Sequence, residues 1–300
     1  MNIAPNFYND ALQGLDRITE QTNNDITELT TGKRVNSISD DPLAAAEDYT
    51  LTLQTNANNT AQTTDNSANS QLTFVDSTFN SVEQLLNQAI SLGTQGANGT
   101  LSASQKSSIA TQLTGILGQV QSLANQTYEG QYIFSGTNTS TTPFATSATQ
   151  PDGVTYNGNS NQQTIALGTG QNVQTTLNGA AVFTAPGADV FNSLNSLITG
   201  LQNGTDVTAA NSELGAAYLN VVSQRSSFAG GITQSQQASD YLQAENTNLA
   251  SEQNNVVGAD ISSVLSDLSQ NNVAQSALLQ AIGSRNTLSL VEFLNTTVQS

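Results

Sequence analysis

The stretch Thr30–Thr50, TTGKRVNSISDDPLAAAEDYT, joins two predicted helices through a short polar loop. Gly32 is predicted to cap the first helix, because glycine adopts the left-handed conformation that ends many helices. Asp41 is predicted as the N-cap of the second helix, with Pro42 in its first turn and an alanine run continuing it. The chain therefore begins as helix, corner and helix, and the rest of the fold can be read outward from this corner.

The composition excludes several classes of function. The chain has 6 Lys and Arg against 23 Asp and Glu, a net charge of −17. Nucleic acids and anionic lipid surfaces require clustered cations, so we expect no nucleic acid and no membrane partner. The chain contains no Cys and no His, which excludes disulfides, thiol chemistry and imidazole bases, and we predict no metal and no cofactor.

The surface chemistry indicates self-association. Charged residues make up only 10% of the chain, whereas soluble proteins average about 25%. Asn, Gln, Ser and Thr take their place. A polar but uncharged surface suits a protein that packs against copies of itself.

Narrow apolar stripes run along both predicted terminal helices, at alternating steps of three and four residues. The N-terminal stripe is Leu12, Leu15, Thr19, Thr22, Ile26 and Leu29. The C-terminal stripe is Ile261, Val264, Leu268, Asn271, Gln275, Leu278 and Ile282. This spacing is typical of coiled-coil seams, and the polar members weaken both stripes. We predict that the two helices pair with each other and need neighbouring molecules to stabilise them.

The middle of the chain combines fuller helical stripes with a β-rich insertion. Apolar stripes over 72–89 and 109–127 predict antiparallel helices that form a hydrophobic core. From Gly130, short β runs alternate with Asn-Gly pairs, which is typical of hairpins. Ala180–Phe183, directly after such a pair, is predicted as one of these strands.

The predicted fold class is mainly α with a small β domain. Residues 1–40 and 257–300 are predicted to form the terminal coiled-coil helices. Residues 41–130 and 188–256 form a central helical domain, and 131–187 form the inserted β-rich module.

Neither of the two catalytic candidates carries a convincing site. The adjacent pair Asp40–Asp41 lies on a turn with no base or metal ligand nearby, and helix capping accounts for it better than catalysis. Gly168–Gly170 lacks the lysine of a phosphate-binding loop. We therefore predict that the chain is not an enzyme.

The N-terminal sequence, MNIAPNFYNDALQG, has neither a basic segment nor an apolar core. It does not resemble a secretory signal peptide. If the protein leaves the cell, we expect it to do so without cleavage of a signal. A surface adhesin with a coiled-coil stalk would need such a signal or an anchor, so this alternative is disfavoured.

Several segments together resemble proteins of the bacterial flagellin superfamily. Leu29–Ala46, LTTGKRVNSISDDPLAAA, resembles the N-terminal signature of flagellins and their relatives. Gly130–Phe144, GQYIFSGTNTSTTPF, and the β segment after it are similar to hook–filament junction proteins of that superfamily. Asp260–Leu294, with its ending LSLVEFL, resembles their C-terminal helix. These later matches favour a junction protein, and flagellin itself remains the alternative.

The resemblance implies a structural role at the junction between the hook and the filament, as a ring assembled through the terminal helices. The implied partners are copies of the chain, the first hook-associated junction protein, flagellin, the flagellar type III export apparatus and an export chaperone. It also implies an extracellular location in the flagellum.

The candidate assembly interface combines the two stripes with the corner. We expect Lys33 and Arg34 to close the first helix and to reach acceptors on an adjacent subunit. The predicted interface residues are Leu12, Leu15, Ile26, Leu29, Lys33, Arg34, Asn36, Asp40, Asp41, Ile261, Val264, Leu268, Leu278, Ile282, Leu290 and Phe293.

Overall fold

A computed structural model describes residues 4–147 and 153–298, with side chains for 8–147 and 153–284. The helices of this part are α1 (Ala4–Thr31), α2 (Pro42–Gly96), α3 (Ala103–Ala124), α4 (Gly179–Phe183), α5 (Val190–Asn203), α6 (Thr208–Val257) and α7 (Ile261–Val298). The strands are β1 (Thr127–Tyr128), β2 (Gln131–Tyr132), β3 (Phe144–Thr146), β4 (Val154–Tyr156), β5 (Thr164–Ala166), β6 (Asn172–Gln174), β7 (Thr184–Ala185) and β8 (Ala188–Asp189). The prediction of a mainly α fold with a small β part is confirmed.

The chain divides into two compact units. The terminal unit comprises Met1–Ala57 and Glu245–Ser300, and the central unit comprises Asn58–Ala244. The long helices α2 and α6 contribute residues to both units. The division into three parts that the sequence predicts stays a prediction.

In the terminal unit, α1 and α7 pack side by side as an antiparallel pair. The amide of Asn271 in α7 donates a hydrogen bond of 2.8 Å to the carboxylate of Asp25 in α1. Further along, Gly14 lies against Leu278. The pairing predicted for the two terminal helices is thus confirmed.

The two stripes meet the partner helix differently. On α7, the predicted stripe from Val264 to Ile282 is buried or half-buried, apart from the exposed Ile261 at its start. On α1, the residues that are buried or half-buried are Ala11, Gly14, Leu15, Ile18, Thr22, Asp25 and Glu28. This face shares Leu15 and Thr22 with the predicted stripe and otherwise lies beside it, because α1 has apolar residues on two neighbouring faces and α7 covers one.

The core of the central unit follows the predicted stripes. Along α2, residues Leu72, Val75, Phe79, Val82, Leu86 and Ala89 are fully buried. The stripe of α3, from Ile109 to Val120, joins the same core. The N-terminus of α3 is fixed by a reciprocal capping box between Ser102 and Gln105.

The β-rich part consists of four small antiparallel hairpins: β1 with β2, β3 with β4, β5 with β6 and β7 with β8. The first Asn-Gly pair, at 157–158, follows β4 and does not form a hairpin turn, because β4 pairs with the preceding strand β3. The prediction of a strand at Ala180–Phe183 was wrong. Asn178 accepts a hydrogen bond from the N–H of Ala180 and caps the short helix α4, because asparagine serves as well at a helix N-cap as in a turn.

Candidate assembly site in the terminal unit

The corner between α1 and α2, residues 32–41, is tied to the junction of α6 and α7 by backbone hydrogen bonds. Gly32 has φ +69°, the left-handed value expected of a capping glycine. Its carbonyl accepts from the N–H of Ala259 at 3.0 Å, and the N–H of Arg34 donates to the carbonyl of Val257 at 2.7 Å. These two hydrogen bonds join the segment that follows α1 to the segment that precedes α7.

Two adjacent carboxylates hold the corner in shape. Asp40 accepts hydrogen bonds from the backbone N–H groups of Asn36 and Ser37, at 2.9 and 2.8 Å, and from the Ser37 hydroxyl at 2.8 Å. Asp41 caps α2 by accepting from the N–H of Ala44 at 3.1 Å. The capping role predicted for Asp41 is thus seen directly in these contacts.

These contacts set the protonation of both groups. The pKa of Asp40 is lowered, first by the hydrogen bond from the Ser37 hydroxyl and then by the two backbone donors. The pKa of Asp41 is lowered chiefly by the N–H of Ala44, and Arg34 adds to the effect. Hydrogen bonds to the ionised form favour it, so both side chains act as fixed acceptors near neutral pH.

The two cations of the corner are paired within the chain. Lys33 Nζ lies 3.4 Å from Asp48 Oδ2. Arg34 Nη2 lies 3.3 Å from Asp41 Oδ2 and donates to the carbonyl of Val256 at 3.2 Å. Both cations therefore help to fold the corner itself. Their contact with a neighbouring subunit stays a prediction.

Beneath these polar contacts, Val35, Ala44 and Val257 form a small buried cluster. Val35 and Val257 are 7% and 1% exposed, respectively. The cluster is too small to provide a core, so hydrogen bonds and ion pairs hold most of the corner.

The terminal unit exposes an unusual amount of apolar surface. Fourteen large apolar side chains of the described residues are exposed, and twelve lie in the terminal unit, all but Leu219 and Tyr241. The twelve are Tyr8, Leu12, Ile26, Leu29, Ile38, Leu43, Tyr49, Leu53, Ile261, Leu265, Val273 and Leu279. Such a concentration of exposed apolar side chains in one unit favours a role for that unit in protein association.

The predicted interface residues fall into three groups. Those that are buried or half-buried in the terminal unit are Leu15, Lys33, Asp41, Val264, Leu268, Leu278 and Ile282. Those that are exposed are Leu12, Ile26, Leu29, Arg34, Asn36, Asp40 and Ile261. Leu290 and Phe293 lie outside the residues whose side chains are described.

Several exposed apolar residues were missed by sequence reasoning. Ile38 is 75% exposed in the corner, and Leu43 and Tyr49 in the first turns of α2 are 79% and 65% exposed. A lone isoleucine within a polar loop was the available signal. On α7, Leu265 and Leu279 were missed because they flank the stripe that packs on α1.

Neither a cluster of metal-binding side chains nor a membrane-spanning helix is found among the described residues. Within 4–147 and 153–298, no three His, Cys, Asp or Glu side chains are grouped to hold a metal ion. In the same part of the chain, none of the helices has the length and apolar character required to cross a bilayer.

Comparison with known proteins shows which proteins this chain resembles. The family model of the bacterial flagellin N-terminal helical region matches residues 5–139. Flagellar hook-associated protein 3 of Salmonella typhimurium is 28% identical over 248 residues, covering 81% of this chain and 73% of the relative. Flagellar hook-associated protein 3 of Escherichia coli is 36% identical over 120 residues, 39% of this chain and 38% of the relative. This chain is similar to flagellar hook-associated protein 3 over most of its length, and residues 5–139 match the flagellin N-terminal region.

Solved structures of hook-associated protein 3 relatives share the fold. FlgL of Bacillus cereus matches with a TM-score of 0.61 at 23% identity, covering 68% of this chain and 99% of that one. The flagellar junction protein FlgL of Legionella pneumophila matches with a TM-score of 0.61 at 15% identity, covering 70% and 99%. The family resemblance predicted from the sequence is confirmed.

Proposed function

We propose that this chain, a structural protein of the flagellar hook–filament junction, assembles with copies of itself into a ring through its terminal unit. The first hook-associated junction protein and flagellin would be its neighbours on either side. The family supports a place among hook and filament components, and the terminal unit supplies the surface for assembly.

The observation that carries the proposal is the uneven distribution of exposed apolar side chains. The terminal unit holds twelve of the fourteen, although it is the smaller of the two units. Removing apolar surface from water provides the main driving force of protein association. The central unit buries its apolar residues in its own core, so it needs no partner to do so.

The weakness of the α1–α7 seam supports the same proposal. Thr22, Asp25, Asn271 and Gln275 occupy inward positions along the pair. Polar residues at seam positions reduce stability while fixing register. A pair of this kind gains stability when neighbouring copies cover its exposed flanks, among them Leu12 and Ile26.

We also propose that the chain reaches the flagellum, outside the cell, through the flagellar type III export apparatus, with the help of an export chaperone and without cleavage of a signal. The family supports a flagellar location. Mass spectrometry of the protein isolated from flagella tests the last point, since an uncleaved chain retains the N-terminal residues of MNIAPNFYND.

The proposed role needs no catalysis, and we infer that the chain is not an enzyme. Relatives in the family are structural flagellar proteins. The contacts of Asp40 and Asp41 support the inference, because their carboxylates are engaged by the donors of the corner.

Deleting the gene in its bacterium tests the junction role. We expect cells with bare hooks that release filament subunits into the medium, and we expect the full chain supplied in trans to restore filaments. Loss of the filament protein itself, with no subunits in the medium, would instead support the flagellin alternative. Normal filaments on the deletion strain would refute both.

A further inference from the structure

The surface of the corner contains a groove that our proposed function does not yet assign to a partner. It lies between the corner and the first turns of α2 and has a volume of about 540 Å³. Its apolar lining comes from Val35, Ile38, Pro42, Ala45, Ala46 and Tyr49. We call it the corner groove.

A second exposed apolar surface lies along α7. Leu265, Ser269, Asn272, Val273 and Ser276 border one shallow depression on that helix. Leu265 and Val273 are 50% and 67% exposed. We call these five residues the lateral face of α7, which adjoins the stripe that packs on α1.

Building on the proposed function, we propose that the corner groove of one copy receives the lateral face of α7 from a neighbouring copy. The contact places the apolar residues of α7 against Ile38 and Tyr49. It assigns a definite partner to the exposed side chains of the corner.

The charges of the two surfaces favour this partner. Asp48 is the one charged residue that lines the groove, and it is paired with Lys33 and accepts a hydrogen bond from Gln253 at 2.6 Å. The lateral face carries no charged residue, and Asp267 is the one charge between Ile261 and Ser284. Copies of a chain with a net charge of −17 repel one another. Contact between two surfaces without unpaired charge minimises that repulsion where the copies meet.

The geometry of assembly favours a second copy as well. The corner groove and the lateral face are different surfaces of the same unit, so the contact is heterologous. Each copy that joins still offers a free groove or a free face to the next one. Heterologous contacts produce rings when the rotation between copies closes, which is the assembly that the proposed function requires.

The absence of cysteine in the natural chain allows a direct test. We would express the double variant Tyr49→Cys with Leu265→Cys in a strain that lacks the natural gene, isolate its flagella and oxidise them mildly. We expect a ladder of disulfide-linked oligomers on a non-reducing gel. Mass spectrometry should identify a peptide pair that joins positions 49 and 265.

Matched controls separate this contact from random collision. Tyr241 and Leu219 are exposed to a similar degree, 58% and 65%, but lie in the central unit. The variant Tyr241→Cys with Leu219→Cys should give no ladder. Each single variant of the test pair should form no product larger than a dimer.

The outcomes distinguish the two proposals. If the double variant is present in the flagella but forms no 49–265 link, or links no better than the control pair, the groove contact is refuted while the junction role stands. If the natural chain is not found in flagella at all, the junction role fails. Should the test pair fail to fold, judged by circular dichroism, Ile38→Cys with Val273→Cys examines the same contact.

Discussion

Arg225 shows how a single residue stabilises the central unit. From α6, its Nε and Nη2 donate to the two carboxylate oxygens of Asp76 at 2.7 and 2.9 Å, and its Nη1 donates to Glu83 at 2.9 Å. Both acids lie on α2, so one guanidinium joins two long helices. The planar fork of arginine matches a carboxylate in a way that lysine does not. These close charge-assisted bonds raise the pKa of Arg225 above its usual value.

Replacing Arg225 should destabilise the central unit. We expect Arg225→Ala to lower the free energy of unfolding by about 1–3 kcal/mol, because it leaves two partly buried carboxylates without their donor. The stability of Arg225→Lys should lie between that of the natural chain and that of Arg225→Ala, since lysine keeps the charge and loses the bidentate contact. Urea denaturation of the full chain measures the change. Lys106→Ala on α3 is the control, and an Arg225→Ala variant that unfolds at the same urea concentration as this control would contradict the prediction.

Asp40 should make the corner sensitive to acid. Its pKa is lowered in the folded chain from an ordinary value of 3.8. A lowered pKa means that the contribution to stability is present above the unfolded value and is lost as the pH falls through the folded value. We expect the amide protons of Asn36 and Ser37 to lose protection from hydrogen exchange only when the pH falls below 3.8 and through the lowered folded pKa of Asp40.

The matched variant for this measurement is Asp40→Asn. Its amide keeps one carbonyl oxygen but has no carboxylate to titrate. The two amides should then be less protected at neutral pH, and acid should change their protection little. Protection that persists in the natural chain far below its folded pKa would show that other contacts hold the corner.

At the scale of elements, the less exposed face of a long helix can consist of polar as well as apolar residues. In the first half of α2, less exposed residues recur at steps of three and four: Leu51, Thr55, Asn58, Gln62 and Asp65. Apolar periodicity alone does not reveal such a helix, since most of these residues are polar. The structure shows one helix of 55 residues where the sequence indicated only its two ends.

Glu28 has the opposite pH behaviour from Asp40 and affects the α1–α7 pair. Partial burial raises its pKa from 4.5, and the charges of Asp25, Asp40 and Asp267 add to the effect, against an opposing contribution from Arg34. A raised pKa in an acid means that its charge destabilises the folded state above that pKa. The pair should therefore gain stability as the pH falls through the folded pKa of Glu28.

Glu28→Gln should stabilise the pair at neutral pH, because the neutral amide avoids this penalty. The side chain is largely solvated, so we expect only a few tenths of a kcal/mol. The measurement is the rate of trypsin cleavage after Arg17 in α1, which should slow modestly at pH 7.5. Faster cleavage would show that the attraction between Glu28 and Arg34 outweighs the repulsion.

At the scale of the whole molecule, the two units should differ in resistance to proteolysis. Trypsin has only six Lys and Arg residues to attack. We expect the free monomer to be cleaved early at Arg17, because the terminal unit leaves much of its apolar surface in water. Cleavage at Lys106 and Arg225 of the central unit should follow much later.

The same digestion of the protein in assembled flagella is the control. Arg17 should then be protected if neighbouring copies cover the terminal unit. A free monomer whose Arg17 resists as long as Lys106 would contradict the view that the terminal unit depends on its partners.

Features of the fold that depend on short-range interactions were predictable from the sequence. Apolar residues repeating every three or four positions predicted the core faces of α3 and of the second half of α2, because local periodicity decides which side of a helix is buried. The corner was predictable for the same reason, since Gly32 and Asp41 act on residues within one turn of themselves. The segment motifs likewise revealed the resemblance to the flagellin superfamily.

Contacts between distant residues could not be read in this way. The pairing of Arg225 with Asp76 and Glu83 joins positions more than a hundred residues apart. The carboxylate of Asp65 is fully buried and accepts from the N–H of Gly168 at 3.0 Å, although neither residue carries a local sign of it.

The sequence alone determined the helical class, the corner and the resemblance to the flagellin superfamily, because these depend on short-range patterns. Only the tertiary structure decided which of two apolar faces α1 turns toward α7. The tertiary structure also shows that the side chains of Ile38, Leu43 and Tyr49 are exposed to solvent in the folded chain. The choice between two similar faces depends on how well each packs against a helix from the other end of the chain.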